Sequence, residues 1–259
     1  PITDPLSSPE TTVSFTIYGN PLQLTKSMIF HKQLAMLAYE KIYIFSPNFR
    51  IEKEEMQKSG RHLVEFTQLD LEVREADRHK VMSLGEEMLV YVITRAIEEA
   101  KEELEFFTRK LRIPSRPFKA ITYKEAYSKF GKDYETKLSR EIKEPVWIVD
   151  FPEKSREFYY RQGKDPNYLR DFDLIYPEGY GEAISGGERE WRAEKTRERL
   201  RGKGIDEKVY LSYLILLEHG IPPSAGFGIG IERLTRFIAG LDSVKYCRLF
   251  PKVPGEFGL

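Results

Sequence analysis

Cysteine is almost absent from this chain. Cys247 stands alone among 259 residues, which excludes an internal disulfide framework and a cysteine-rich zinc site. Net charge is lacking as well. The 41 basic residues are matched by 41 acidic ones, so no global positive field advertises nucleic acid, although a local basic patch is compatible with this balance. No apolar run approaches the roughly 20 residues of a membrane-crossing helix. The N-terminal PITDPLSSPETT lacks the charged-then-apolar pattern of a leader. Internal repeats and low-complexity tracts are missing too. These absences predict a cytoplasmic protein without a membrane partner, long enough to bury one substantial core.

What the chain does have is a polar face where a plain strand would be apolar. Residues 42–72 read as a long antiparallel hairpin: a strand over 42–52, a charged loop, and a strand over 61–72. Side chains on a strand alternate between faces. Arg50 and Glu52 therefore share one face of the first strand. Phe66, Gln68 and Asp70 share a face of the second, with Thr67, Leu69 and Leu71 directed to the core. One face thus collects a cation, two carboxylates, an amide and an aromatic ring, more polarity than packing alone requires. A solvated sheet face is the competing reading.

The remaining pattern predicts an α+β arrangement of antiparallel strands with helices between them. An extended lead-in over 1–12 precedes a strand over 13–18, the turn Gly19-Asn20-Pro21 and a short helix within 26–41. Three- and four-residue apolar spacing predicts one long helix over 75–111, ended by Pro114 and Pro117. Its EEAKEELE face reads as solvated. A short helix over 120–131 and a charged connection over 132–145 follow. Strands are expected at 146–150 and 158–162, then a second hairpin, 170–176 and 181–185, closing at Gly186-Gly187. Helices are expected over 188–201 and 207–218, and a buried strand over 226–231 runs into a last helix over 232–239, capped by Gly240. GFGIGI lacks the dinucleotide-fingerprint spacing, so a doubly wound fold is not indicated.

Two segments carry a family resemblance. NFRIE followed by RHLVEFTQLD (residues 48–70) resembles motif 2 of the class II aminoacyl-tRNA synthetases, in the form used by aspartyl and asparaginyl enzymes. GFGIGIERL (226–234) resembles their motif 3. The order is right, and the likeness runs from about Asn20 to the C-terminus. It implies a single catalytic domain with a mostly antiparallel sheet flanked by helices. Motif 1 is not recognisable, though PITDPL is similar to the tail that follows it, and no N-terminal OB-fold precedes the first substrate loop.

The resemblance assigns roles. Adenylation needs cations at the α-phosphate, an aromatic face for the base and carboxylates for magnesium. Arg50 would meet the α-phosphate with a planar, bidentate guanidinium. Phe66 would stack beneath adenine and Arg233 would cover its other face. A cation at a helix start is otherwise mildly unfavourable. Glu52, Arg61 and His62 match positions near the adenine and outer phosphates; alone, His62 would be an ordinary loop histidine. Asp173 and Glu182 lie nine positions apart across the PEGYG turn, and FDLIYPEGYGEAISGGERE is similar to the family's metal-binding segment. Paired carboxylates suit Mg²⁺ shared with substrate phosphates. Gln23 and Lys26 in LQLTK match a substrate loop, Asp70 matches the acceptor of the substrate ammonium, and Arg189 matches the arginine that grips a side-chain carboxylate. Two cations, Lys26 and Arg189, aimed at one side chain imply aspartate, since unpaired buried charge is expensive.

Without an anticodon-reading domain, the chain resembles archaeal asparagine synthetases related to asparaginyl-tRNA synthetase. That likeness implies an aspartate–ammonia ligase using ATP and Mg²⁺ and making free asparagine and AMP through a β-aspartyl-adenylate. It also implies a homodimer and no role for tRNA. Adenylation for transfer to tRNA or another acceptor is the second reading, and a non-catalytic amino-acid sensor the third.

Overall fold

A computed structural model describes residues 2–3 and 11–256. Most of the lead-in, including the PITDPL tail, lies outside the described residues. Strands β1 (Ile2–Thr3), β2 (Ser14–Ile17) and β3 (Asn20–Leu24) form a small antiparallel sheet in the order β1-β3-β2. Helix α1 (Ile29–Ala35) leads into β4 (Lys41–Phe49), a 3₁₀ turn over Glu54–Ser59, and β5 (Glu65–Arg74). The first arm of the hairpin is therefore shorter than expected. Arg50 and Glu52 lie past its end, where Arg50 N donates to Val64 O at 2.8 Å.

Asp77 caps α2 (Arg78–Glu99) by accepting from Lys80 N. The expected single helix breaks at Ala100, whose φ of −117° and ψ of 39° leave the helical region, and α3 (Lys101–Phe106) follows. Apolar spacing continues across the break, where Leu104 is buried and Phe107 is 45 % exposed. β3, where a turn and a loop were expected, was not anticipated, and neither were two later elements. β6 (Lys119–Thr122) pairs in parallel with β7 (Val146–Val149), and α5 (Tyr134–Glu141) follows α4 (Tyr123–Phe130) inside the supposed charged connection. α5 buries only Leu138 and Ser139, too narrow an apolar stripe to register in the sequence.

β8 (Asp171–Tyr176) and β9 (Gly181–Glu188) make the second hairpin. Residues 158–162 contribute only isolated bridges, Tyr160 to Arg189 and Gln162 to Leu169. Gly186-Gly187 does not end the hairpin. A Cβ on Gly186 would lie 2.4 Å from Gly226 O, and one on Gly187 2.7 Å from Asp171 Cα, so these glycines let three strands approach closely. Helices α6 (Ala193–Gly202) and α7 (Leu211–Glu218), then β10 (Ser224–Gly230) and α8 (Ile231–Ala239), complete the chain. Among the described residues no helix is long and apolar enough to cross a membrane.

The main sheet runs β4-β5-β10-β9-β8-β7-β6, antiparallel except at β6–β7. Its two faces have different chemistry. Toward α2 point Leu69, Leu71 and Val73 of β5, Phe227 and Ile229 of β10, and Leu174 and Tyr176 of β8, packed with Val81, Leu89 and Ile93. The alternate residues form the opposite face: Gln68, Asp70 and Glu72, the glycines 226, 228 and 230, and Asp171 and Asp173. A second apolar cluster joins α1, α6 and α7 around Phe158, and a third seats α4 and α5 against β7. These two cover the flanks and leave a polar cleft over the middle strands.

Crowding at the glycine stripe is a test of this arrangement. A Cβ on Gly226 would sit 2.1 Å from Glu72 Oε2 and 2.2 Å from Leu71 O, whereas one on Gly202 meets nothing within 4 Å. Gly226→Ala is expected to destabilise by roughly 1–3 kcal/mol and Gly202→Ala to stay within about 1 kcal/mol of the parent, both read from urea midpoints at constant slope.

Candidate active site

Two cavities open on the polar face and share a wall. The larger, about 490 Å³, is lined among others by Lys26, Lys32, Asp70, Tyr159 and Arg189. The smaller, about 270 Å³, is lined by Glu52, Arg61, His62, Phe66, Glu232 and Arg233. Arg50, Gln68, Glu182, Ser185 and Gly228 line both. The smaller cavity thus gathers all six residues expected around a nucleotide. The larger gathers three of the four expected around an amino acid. Gln23 is the exception: it is buried in β3 with its amide donating to Ser14 Oγ at 3.2 Å, because the β2–β3 pairing turns it into the small sheet rather than the cleft.

In the smaller cavity the Arg50 guanidinium lies 4.9 Å from the Phe66 ring centroid and donates to Lys26 O at 3.2 Å. Burial and the nearby Arg233 lower its pKa, against the opposing pull of Glu52. Arg233 begins the second half-turn of α8 and donates to Glu182 at 2.9 Å and to Arg61 O at 3.2 Å. Arg61 pairs with Glu135 of α5, and the same Glu135 carboxylate accepts from Glu182 N at 3.0 Å. Glu135, unforeseen from sequence, therefore links the loop to the hairpin. His62 is pushed down to about 4 by burial and by Arg233 and Arg61, so it offers a neutral imidazole at ordinary pH. Its Nδ1 lies 2.7 Å from Ser59 Oγ.

Asp173 and Glu182 share the cleft face for a specific reason. The β8–β9 register shifts between Leu174 and Ile175, placing both Ala183 and Ile184 in the core, so that Glu182 and Ser185 both face the cleft. Asp173 pairs across the strands with Ser185 and stands 2.6 Å from Arg156 Nη2. Burial raises its pKa, and Glu182 adds to the rise against Arg156. Burial would raise Glu182 as well, but Arg233, Arg61, Arg156 and Arg50 together pull it down. No cluster of three or more acidic, histidine or cysteine ligands exists among the described residues. Glu182 lines both cavities and Asp173 lines neither, yet two carboxylates on one cleft face are the donor set that Mg²⁺ uses when substrate and water complete its shell. The fit is therefore adequate, with Asp173 and Glu182 as the residues that would hold it. Once bound there, the ion would neutralise charge on phosphate oxygens.

The larger cavity rests on a buried charge network that sequence reading missed. Glu72, fully buried, accepts from Arg189 Nε at 3.1 Å and Nη2 at 3.1 Å and from Ser224 Oγ at 2.7 Å. Lys32 donates to Asp70 Oδ1 at 2.8 Å and to Phe227 O at 3.1 Å. Asp70 Oδ2 is buried with no hydrogen-bond partner among the described residues. Arg189 is thus not an unpaired cation, which removes that part of the charge argument for an acidic ligand. Lys26 donates to Thr11 Oγ1 at 3.0 Å. Burial, then Arg50, lowers its pKa against Glu157 and Glu52.

The family model described as tRNA synthetases class II (D, K and N) matches residues 1–254. The chain belongs to this family. Among curated proteins, the asparagine–tRNA ligase of Pyrococcus abyssi is 33 % identical over 250 residues, covering 90 % of this chain and 57 % of that protein. The Thermococcus gammatolerans asparagine–tRNA ligase is 32 % identical, with 98 % and 63 % covered. Among solved structures, Pyrococcus horikoshii asparaginyl-tRNA synthetase complexed with asparaginyl-adenylate superposes with a TM-score of 0.88 at 30 % identity, covering 98 % of this chain and 62 % of that one. This class II chain spans about three fifths of the length of these relatives. The comparisons correct two expectations. The relatives are named for ligating asparagine to tRNA, which overturns the reading as a free-asparagine-forming aspartate–ammonia ligase, and with it the expectation that tRNA has no role.

The depressed His62 pKa gives a pH prediction. Below about 6.5 the unfolded chain takes up the proton while the folded chain resists it down to about 4. Stability contributed by neutral His62 is complete above 6.5 and is lost as pH falls toward 4. In His62→Gln, the drop in urea midpoint between pH 7 and pH 5 should be smaller than in the parent. An equal drop in both would contradict the assignment.

Proposed function

We propose that this chain forms an aminoacyl-adenylate from aspartate or asparagine and ATP and passes the aminoacyl group to tRNA. The shared wall of the two cavities carries this reading: Arg50 and Glu182 border both pockets, so an amino acid in one and a triphosphate in the other would meet at the arginine.

The chemistry follows from the charges on that wall. The amino acid would rest its ammonium on the unpaired Oδ2 of Asp70 and its side chain toward Lys26 and Arg189. Its α-carboxylate would then approach the α-phosphorus in line. The new carboxyl–phosphate bond forms as the bond to pyrophosphate breaks. Arg50 would stabilise the charge that builds on the phosphoryl oxygens, and Arg233 and Arg61 would hold the nucleotide. His62, being neutral, can donate a hydrogen bond to a phosphate without adding charge. The protein's part is orientation and electrostatics, with no covalent enzyme intermediate. A terminal ribose hydroxyl of tRNA would attack the activated carbonyl, and AMP would leave.

Amino-acid-dependent exchange of labelled pyrophosphate into ATP tests the first half, and charging of total archaeal tRNA tests the second. Exchange should appear with aspartate or asparagine and vanish without either. Arg50→Lys should lower exchange by about 10²-fold, the scale of one lost transition-state donor, while amino-acid binding changes less than about threefold. Absence of exchange with both amino acids would overturn the reading.

A further inference from the structure

One face of α5 grips the β8–β9 turn. Glu135 and Ser139 lie four residues apart and therefore on the same side of the helix. Ser139, fully buried, donates to Tyr176 O at 2.6 Å and accepts from Gly181 N at 2.8 Å, and its carbonyl accepts from Gly179 N at 2.9 Å. Glu135 continues the same contact. Its Oε1 accepts from Glu182 N at 3.0 Å and also from Arg61 Nη1. A single oxygen thus joins three segments: α5, the strand that carries Glu182 and the loop that carries Arg61.

A carboxylate in the first turn of a helix suits the helix dipole wherever on the circumference it points. This one points inward, at a defined corner. Arg61 lies so close to Gly181 that a Cβ there would stand 2.2 Å from Arg61 Nη1 and 2.9 Å from Glu135 Oε1. Bare backbone at Gly181 is what lets the pair form. Glu135 lines neither cavity, while Arg61 lines the smaller one, so the carboxylate holds the guanidinium from outside the pocket. Arg61 Nε is buried and has no hydrogen-bond partner among the described residues. The Arg61 charge also acts on Glu182: burial raises that carboxyl, but Arg233 and then Arg61 hold it below its usual range. A guanidinium released at this corner would turn onto Glu182. It would then be withdrawn from a nucleotide and would close the carboxylate to other ligands.

We propose that Glu135 is a positioning residue of the nucleotide site, whose carboxylate aims Arg61 at the outer phosphates of a nucleoside triphosphate and keeps it off Glu182. This deepens the adenylation reading and rests on it for the identity of the smaller cavity. Glu135 acts only through Arg61. Holding the guanidinium in place before the nucleotide arrives removes part of the ordering cost of binding. Charge at this corner acts on phosphate and not on the base. The effect therefore belongs to ATP and is nearly absent with AMP, whose one phosphate would meet Arg50.

Calorimetric titration of ATP and of AMP into the full chain, in one magnesium buffer, tests it. The parent, Glu135→Ala, Glu135→Gln, Arg61→Ala and the double variant Glu135→Ala/Arg61→Ala are compared. In Glu135→Ala the affinity for ATP should fall about tenfold, the scale of one charge-assisted hydrogen bond, while that for AMP changes less than about threefold. Glu135→Gln keeps an acceptor for Glu182 N without the charge and should fall between. The double variant should bind ATP within about threefold of Arg61→Ala alone, since both changes act through one guanidinium. A purely structural glutamate would weaken ATP and AMP in parallel, or add its full loss to that of Arg61→Ala; either result overturns the proposal. So does ATP binding that is unchanged or tighter in Glu135→Ala, which would make Glu135 a mere competitor for Arg61. Should Glu135→Ala fail to fold, Glu135→Gln takes its place, and the same selective loss of ATP is required of it. Pyrophosphate exchange separates the two readings. Exchange that proceeds while the ATP and AMP losses run in parallel sinks this proposal and leaves adenylation standing. No exchange, with the selective loss of ATP intact, sinks adenylation and leaves Glu135 in its place at a triphosphate site.

Discussion

Glu72 is a carboxylate with no exposed surface, and three separate segments of the chain converge on it. Arg189, just beyond β9, meets it with two nitrogens; Ser224, at the start of β10, adds a hydroxyl; Lys32 of α1 approaches to 3.8 Å; and the backbone at Gly226 passes so close that a methyl group would collide. Taking such charges out of water is costly, and removing one partner of a buried pair typically costs about 3–5 kcal/mol because the other is stranded. The middle of the polar face is therefore held in place by complementary charge, with the apolar contacts relegated to the far side under α2. A cleft built this way has its charged groups fixed before any ligand arrives, which is what electrostatic recognition requires.

The nucleotide side obeys the same logic with looser partners. Arg61 is tied to Glu135 and Arg233 to Glu182. A phosphate entering this pocket competes with carboxylates of the protein for each of these cations. Its affinity would then be a difference between two sets of ion pairs, sensitive to Glu135, which lines neither cavity.

Much of this was legible in the sequence wherever chemistry and local spacing coincide. Alternation along β5 separated Gln68 and Asp70 from Leu69 and Leu71, and the motif residues Arg50, Phe66 and Arg233 are indeed neighbours in space. What sequence could not supply is anything settled by distant partners. Lys32 reads as one more helix lysine until Asp70 and Phe227, 38 and 195 positions away, are placed beside it. Arg189 reads as a free cation until Glu72 is found against it. The bulge that turns both Glu182 and Ser185 to the cleft depends on strand register, and α5 is too weakly apolar to announce itself. The functional reading went astray for another reason. It drew the acceptor from a missing anticodon domain, and an absence in a chain spanning about three fifths of its relatives says nothing about the acceptor.

On the cleft side β10 presents no side chains between Gly226 and Gly230, so bare backbone sets the depth of the pocket there. The three positions differ in the room they have. Gly226 is pressed by Glu72 and Gly228 by Gln68 and Asp70, whereas a methyl on Gly230 would meet only the carbons of Arg233 at 3.7 Å. Mutational drift can trim the nucleotide end a methyl at a time and finds the amino-acid end locked. At the crowded end ligand preference can change only through the charges on the walls, since the floor there admits no gradual change of shape.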